Sequence, residues 1–479
     1  MHAPSTDATT AQTPSAALRA AALPIPTPPR IPVLGNLLQL PSGRLTQHLM
    51  GVAPHFDGIF AIDFAGLRVP FVTSAALTAE LCDEKRFRKT IKPPLSILRA
   101  LAGDGLFTAH TDEPNWGKAH RVLVPAFAQR ARRAYFDAML DVAQQLVDKW
   151  TRSAGQPIEV SDDMTRLTLD TIALCGFGYR FGSFEQTTLH PFLQAMGRVL
   201  DETMGRLTRH PWLTRARWLA NRRYDQDIAQ MHALVDDVIR ARRAQPAQSR
   251  DLLGLMLEAV DPVTKERLDD ANIRYQVITF LIAGHETTSG LLSFVLRLLI
   301  EHPAVLAQAR AEVDAVLPQG RTPDYDDLAR LDVIDRILKE TLRLWPTAPA
   351  FAVAPYEDTL LGGRYLIARD QRVTVLLPSL HRDPAVWAEP ERFDIDRFLP
   401  DNEKAIPSAA YKPFGNGQRS CIGRQFAIME AKLALALILQ RLDFERADGG
   451  GQEVRETLTL KPDGFQLRVR HRAQAGVGA

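Results

Sequence analysis

Cysteine is scarce: 479 residues carry three, Cys82, Cys175 and Cys421. An odd count without secretory context argues against a disulfide framework, and without C-x-x-C spacing there is no iron–sulfur signature. Cys82 and Cys175 sit among apolar neighbours and read as packing residues. A dominant charge sign is also missing. Lys and Arg number 58 against 56 Asp and Glu, a net of +2, so nucleic acid is not expected as a partner. One local excess stands out, Arg206, Arg209, Arg215, Arg217, Arg222 and Arg223; such stretches are usually solvated helix faces, with a membrane or partner contact as the alternative. Long hydrophobic runs are lacking as well. The most apolar stretch, Val277 to Ile300, is broken by His285, Glu286 and Arg297, which would be costly in lipid. It reads as a helix buried inside a protein, and no membrane span is expected. The first residues show no Lys/Arg cluster followed by an apolar core, so the expected location is cytoplasmic.

What is present points to one large domain. Residues 1–30 are rich in Ala, Thr, Ser and Pro and end in Pro24-Ile25-Pro26-Thr27-Pro28-Pro29, a composition expected of a disordered leader. From 31 to 471 the composition is even, without repeats or linker-like runs. Residues 472–479 read as a tail or the start of a linker. Long helical patterns dominate, while strand-like runs around Phe71–Val72, Arg372–Leu377 and Phe465–Val469 are short, so the expected class is mainly α with a smaller β portion.

Cys421 differs from its two counterparts. It lies in K-P-F-G-N-G-Q-R-S-C-I-G-R-Q-F-A, residues 412–427, where Pro413, Gly415 and Gly417 enforce a turn and an apolar helical run follows Gly423. A cysteine at a helix N-terminus, with Arg419 two residues before it, is expected to favour the thiolate and to suit a metal cofactor carrying acidic groups. A second unusual segment sits inside the helix expected over 269–301, the run Ala283-Gly284-His285-Glu286-Thr287-Thr288. Glycine there costs about 1 kcal/mol against alanine, and small residues would let a flat cofactor lie against the backbone. Thr287 follows Ala283 by one turn, so its hydroxyl is expected to bond back to that carbonyl.

The pattern F-x-x-G-x-R-x-C-x-G, made by Phe414, Gly417, Arg419, Cys421 and Gly423, resembles the haem-ligand signature of the cytochrome P-450 superfamily. The 283–288 run is similar to that family's A-G-x-[DE]-T-T segment. Glu340 and Arg343, with Arg397 downstream, resemble its E-x-x-R pair and later arginine, and Trp116 with His120 its Trp-x-x-x-Arg/His propionate partners. The resemblance implies haem b with Cys421 as axial ligand, thiolate ligation being the electronic lever that favours O–O cleavage. It further implies Phe414 and Gly415 beside the sulfur, Arg419, Trp116 and His120 at the propionates, and Thr287 with Glu286 as an alcohol–acid proton relay. Glu340, Arg343 and Arg397 would be a structural charge network.

Longer stretches, among them Leu342–Phe351 and Glu456–Pro462, are similar to the haem domain of bacterial self-sufficient fatty-acid hydroxylases. This implies an NADPH-dependent monooxygenase acting on hydrophobic substrates and O2, most simply by subterminal hydroxylation of medium- or long-chain fatty acids. Phe107, Ala283, Ala348, Ala350 and Leu458 would line the substrate pocket. Two departures are visible. Leu67 and Phe71 stand where that family holds the carboxylate with Arg and Tyr, and Arg68, one residue off, should face the other side of its strand. The 479 residues show no convincing dinucleotide fingerprint, so FAD/FMN-borne electrons are expected from a reductase domain beyond a linker or from a separate partner. A peroxide-driven peroxygenase and a non-enzymatic haem sensor or carrier are the alternatives.

Overall fold

Asp269 opens the longest helix, Asp270–Glu301, by accepting a hydrogen bond from the Asn272 N–H, an acidic cap at the positive end of the helix dipole. Pro303 begins the next helix after a bend of 113°, since proline cannot supply the N–H that a continuing turn needs. The computed structural model describes Leu18 and residues 22–472, apart from 42, 210, 246–250 and 448–452. In chain order the helices that carry the argument are α1 (Pro114–Leu123), α2 (Gln129–Arg152), α3 (Val160–Phe177), α4 (Pro191–Thr208), α5 (Pro211–Ala216), α6 (Trp218–Ala244), α7 (Asp270–Glu301), α8 (Asp332–Leu344) and α9 (Arg424–Arg441). The strands are β1 (Ile59–Phe64), β2 (Leu67–Val72), β3 (Phe87–Lys89), β4 (Ala350–Pro355), β5 (Val373–Leu376), β6 (Val454–Glu456) and β7 (Leu460–Pro462).

The molecule is mainly helical. Its largest sheet runs β1-β2-β5-β4-β3, with only the β2–β5 pair parallel, and β6 and β7 form a separate antiparallel hairpin. At the centre lies α9, where Leu433 to Gln440 are all buried. A helix apolar on every face must be surrounded, and α2, α7 and α8 surround it. The site is therefore built at the N-terminal end of the most enclosed helix.

The expected leader is shorter than its composition implied. Residues 22–30 are tied to the sheet region: the Leu23 N–H donates to the Arg364 carbonyl (2.7 Å), the Ala61 N–H to the Pro26 carbonyl (2.8 Å), and Arg30 pairs with Asp63 (2.8 Å). Prolines at 24, 26, 28 and 29 suit an extended strap whose own N–H groups are not needed. Residues 1–17, 19–21 and 473–479 lie outside the described residues. Arg472 still belongs to the domain through its bonds to Leu439 and Asp314. Among the described residues no single helix is long and apolar enough to cross a membrane.

Candidate active site

The loop before α9 folds back on itself. The Cys421 N–H donates to the Phe414 carbonyl (2.8 Å) and the Gly415 N–H to the Lys412 carbonyl (3.0 Å), while Gly415 and Gly417 take φ of 77° and 59°, angles that glycine adopts without strain. A second reason holds for Gly417: any Cβ there would run into the Glu84 carboxylate, which accepts from the Gln418 N–H (2.8 Å). Asn416 fixes the same loop by donating to the Cys82 carbonyl (3.0 Å).

Facing the loop is the middle of α7. Phe127 spans the two, stacked on Phe280 of α7 at 5.7 Å and edge-on to Phe426 of α9 at 6.5 Å. Between them the chain leaves open space. Cys421 is exposed, although Phe426 just beyond it is buried. Ala283 is likewise exposed halfway along a helix whose residues 276–282 and 288–296 are buried. Exposure at the midpoint of a core helix means a cleft, not a surface. Ala348 and Ala350 are also exposed, and Phe107 and Leu458 are half-buried. The β6–β7 hairpin and the 345–350 segment meet α7, because the Leu460 N–H donates to the Thr347 carbonyl (2.9 Å) and both crowd Gly290.

Two expectations about the sequence need correction. Gly284 does not serve the cleft: a Cβ there would meet Ile172 at 2.9 Å, so this glycine permits the close crossing of α3 and α7, where Thr168 also donates to the His285 carbonyl (3.0 Å). The small residue on the open side is Ala283. Nor does the helix terminus make Cys421 acidic by itself. Burial pushes its thiol up more than the Gly423 N–H and Arg424 pull it down, and deprotonation would have to come with the metal.

The expected Thr287 bond to the Ala283 carbonyl is present (2.8 Å), and α7 remains α-helical there without widening. Glu286 is held elsewhere, accepting from Thr459 (2.9 Å), 3.1 Å from His285 Nε2 and 4.0 Å from Lys461. Burial alone would raise its carboxyl, but Lys461, His285 and Thr459 together hold it well below the usual range. Sequence reasoning passed over Thr459 and Lys461, which fall in the quoted Glu456–Pro462 stretch but gain meaning only when the hairpin lies on α7.

At the rim, Arg419 donates to the carbonyls of Leu106 (3.0 Å) and Ala109 (2.9 Å) and to Thr111 (3.1 Å). It lies 4.8 Å over the Trp116 ring, and Trp116 stacks on His120 at 5.1 Å. Burial drives the Arg419 pKa down to about 10. Lys89, which no motif singles out, donates to the Phe107 carbonyl (2.8 Å); burial first and Arg419 second push its pKa well down. His120 is lowered by burial and by Arg419. Among the described residues neither Lys89 nor Arg419 has a carboxylate within ion-pairing distance. Desolvated, mutually repelling cations are costly unless an anion arrives, so the donor set fits a flat cofactor with acidic arms and a metal reached by Cys421.

Glu340 and Arg343 are fully buried, with Arg343 Nε and Nη2 donating to the carboxylate at 2.6 and 2.7 Å. Arg397 lies 3.5 Å away. Arg343 also donates to the carbonyls of His381, Pro390 and Arg392, binding the segment that leads into the cysteine loop.

Comparison with known proteins agrees with this geometry. The family model described as Cytochrome P450 matches residues 25–469. A bifunctional cytochrome P450/NADPH–P450 reductase of Bacillus subtilis is 48% identical over 456 residues, covering 95% of this chain and 43% of that protein. A self-sufficient cytochrome P450 monooxygenase of Aspergillus niger is 45% identical, with 95% and 44% covered. Among solved structures, the haem domain of cytochrome P450DA superposes with a TM-score of 0.91 at 53% identity, covering 94% of this chain and 98% of that one. The chain thus spans less than half the length of the curated relatives it matches.

Proposed function

The chain belongs to the cytochrome P450 family, and from that premise we propose that it is the haem-binding part of an NADPH-dependent monooxygenase that hydroxylates hydrophobic substrates. The observation that carries this reading is that Cys421 and Ala283 are exposed amid buried neighbours on two segments joined through Phe127, with Lys89 and Arg419 as desolvated cations that have no carboxylate partner among the described residues. Cys421 would ligate the iron of haem b, Phe414 and Gly415 would shape the turn beneath it, and Arg419, Lys89, Trp116 and His120 would hold the propionates. When bound, the haem supplies thiolate-assisted activation of O2. Electrons would come from NADPH through an FAD/FMN reductase, joined to this chain or separate, as the relatives named bifunctional carry one. A reducing cytoplasm suits a chain whose three cysteines are all free.

The chain's own part in the chemistry is to manage protons and water. Thr287 parks its hydroxyl on the Ala283 carbonyl at the cleft face, and Glu286, one residue before it, is kept ionised by the β6–β7 hairpin. Such an acid would receive protons from outside and, on turning from Thr459 towards the cleft, pass them on to the alcohol. Thr287→Ala is expected to retain haem and keep consuming NADPH once a flavin reductase is added, while product per NADPH falls severalfold and released hydrogen peroxide rises to match. Unchanged coupling would remove Thr287 from the relay, and a missing carbon-monoxide spectrum of the thiolate type in the parent protein would end the proposal.

Phe107, Ala283, Ala348, Ala350 and Leu458 make the substrate side apolar, which suits medium- or long-chain fatty acids or related compounds. The carboxylate anchor is the weak point. Leu67 is 66% exposed, Phe71 is buried, and Arg68 pairs across the β1–β2 hairpin with Asp63 at 3.8 Å, on the strand face opposite Phe71. A hydrogen bond to a charged group contributes about 1.5–3 kcal/mol, roughly tenfold to a hundredfold in affinity. Without it, a fatty acid and its matching alcohol should give dissociation constants within a few fold in substrate-binding titrations. A strong preference for the acid would show that an anchor exists elsewhere.

A further inference from the structure

Residues 103–109 form the loop that carries Phe107. In it the carbonyls of Leu106, Phe107, Thr108 and Ala109, one after another, accept from cations. Arg419 takes the first and last (3.0 and 2.9 Å), Lys89 the second (2.8 Å) and Arg99 the third (2.8 Å). The N–H side of the loop is held from α7, where the Leu106 N–H donates to Gln276 Oε1 (3.0 Å). The loop lies directly on that helix, since a Cβ on Gly105 would strike the Tyr275 carbonyl at 2.9 Å and the Thr279 hydroxyl. Lys89 and Arg419 answer to the proposed cofactor as well as to the loop. Gln276, fully buried, has no such second duty.

The orientation of the Gln276 amide is not free. A carboxylate only accepts, so both neighbours of Asp104 turn amine groups to it, Asn115 of α1 at 2.7 Å and Asn272 of α7 at 2.8 Å. Asn272 is left presenting its oxygen to Gln276, whose Nε2 donates to it (3.1 Å), and Gln276 Oε1 is left for Leu106. Asp104 therefore sets the sense of every bond up to Leu106, and a flipped amide would bring like groups face to face. Buried networks of this kind rigidify what they hold.

What this one holds is the neighbour of Phe107. Of the five side chains assigned to the substrate side, three are alanines, so only Phe107 and Leu458 are bulky enough to steer an elongated apolar molecule. Displacing a positioning group by about 1 Å can change a rate by about a hundredfold. We propose that Gln276 is a specificity-determining positioning residue: through the Leu106 N–H it fixes Phe107, and thereby which carbon of the substrate is oxidised. The inference rests on the monooxygenase reading and adds to it a residue with no surface in the cleft.

The test compares Gln276→Leu, which keeps the volume but cannot accept, with Gln276→Glu. The latter keeps an acceptor for Leu106 and, held protonated by burial, a donor for Asn272. Hydrogen exchange of the Leu106 amide is followed in haem-loaded protein by fragment mass spectrometry. The ratio of positional products from a medium-chain fatty acid and its matching alcohol is measured with an added flavin reductase. In Gln276→Leu the exchange is expected to quicken about tenfold and the product ratio to move severalfold, with the carbon-monoxide spectrum retained. Gln276→Glu should return both towards the parent. Should Gln276→Leu fail to fold, Asp104→Ala, which removes the carboxylate that orients the network, is read in the same way, with both effects smaller. Unchanged exchange, a parent product ratio despite quickened exchange, or a shift that Gln276→Glu shares in full overturns the proposal. A parent protein that forms no hydroxylated product sinks the monooxygenase reading and this inference with it, so the parent alone tells the two failures apart.

Discussion

Cys421→Ala should give a folded protein with no thiolate-type carbon-monoxide spectrum and monooxygenase activity reduced to background. The two halves of this expectation separate for a structural reason. Cys421 is exposed to the cleft, and what fixes the loop is its backbone bond to Phe414, the Glu84 contact to Gln418 and the Asn416 bond to Cys82, none of which uses the sulfur. Thermal unfolding of the haem-free variant should therefore lie close to that of the haem-free parent. The haem-loaded forms should differ, because a ligand that binds only the folded state stabilises it by mass action. A thiolate spectrum surviving in Cys421→Ala would transfer the ligand role to Cys82 or Cys175 and undo the assignment.

Arg343→Leu should be the most damaging change to stability. Arg343 gives two short, buried bonds to Glu340, a buried one to the His381 carbonyl and two part-buried ones to the carbonyls of Pro390 and Arg392. Burial raises the Glu340 carboxyl, and Arg343, the Asp394 N–H and Arg397 pull it back down. With Arg343 gone, Arg397 at 3.5 Å is a poor substitute, and the carbonyls of His381, Pro390 and Arg392 lose their donor. Breaking one side of a buried pair typically costs about 3–5 kcal/mol, a large part of the roughly 5–15 kcal/mol that holds a protein folded. Accumulation in inclusion bodies, or a urea midpoint lowered accordingly, is expected. A loss under about 1 kcal/mol would mean the network is dispensable. Arg343→Lys should recover little, since an ammonium cannot reproduce two parallel bonds and three carbonyl contacts.

Legibility varied with how local each feature is. The ends of α7 fell within one residue of the expected 269–301, since Asp269 as cap and Pro303 as stop act within a turn. The Thr287 back-bond was equally legible, being fixed by helical geometry alone. Proline-rich composition misled at 22–30, because proline suits an extended strap laid on a sheet as well as a disordered leader. Gly284 misled as well: a glycine in a helix announces a close approach without saying whose, and here it is Ile172 of α3.

By itself the sequence determined the class of fold, the turn that presents Cys421, the helix that faces it and the pairing of Glu340 with Arg343, because each is written in residues close together along the chain. Tertiary structure alone decided which cations share the rim, bringing Lys89 beside Arg419 across 330 positions, and where Glu286 points, through Thr459 and Lys461. It also decided that burial pushes the Cys421 thiol up against the pulls of the Gly423 N–H and Arg424. Desolvation and charge pairing depend on what surrounds a group in space, and no local pattern of residues carries that information.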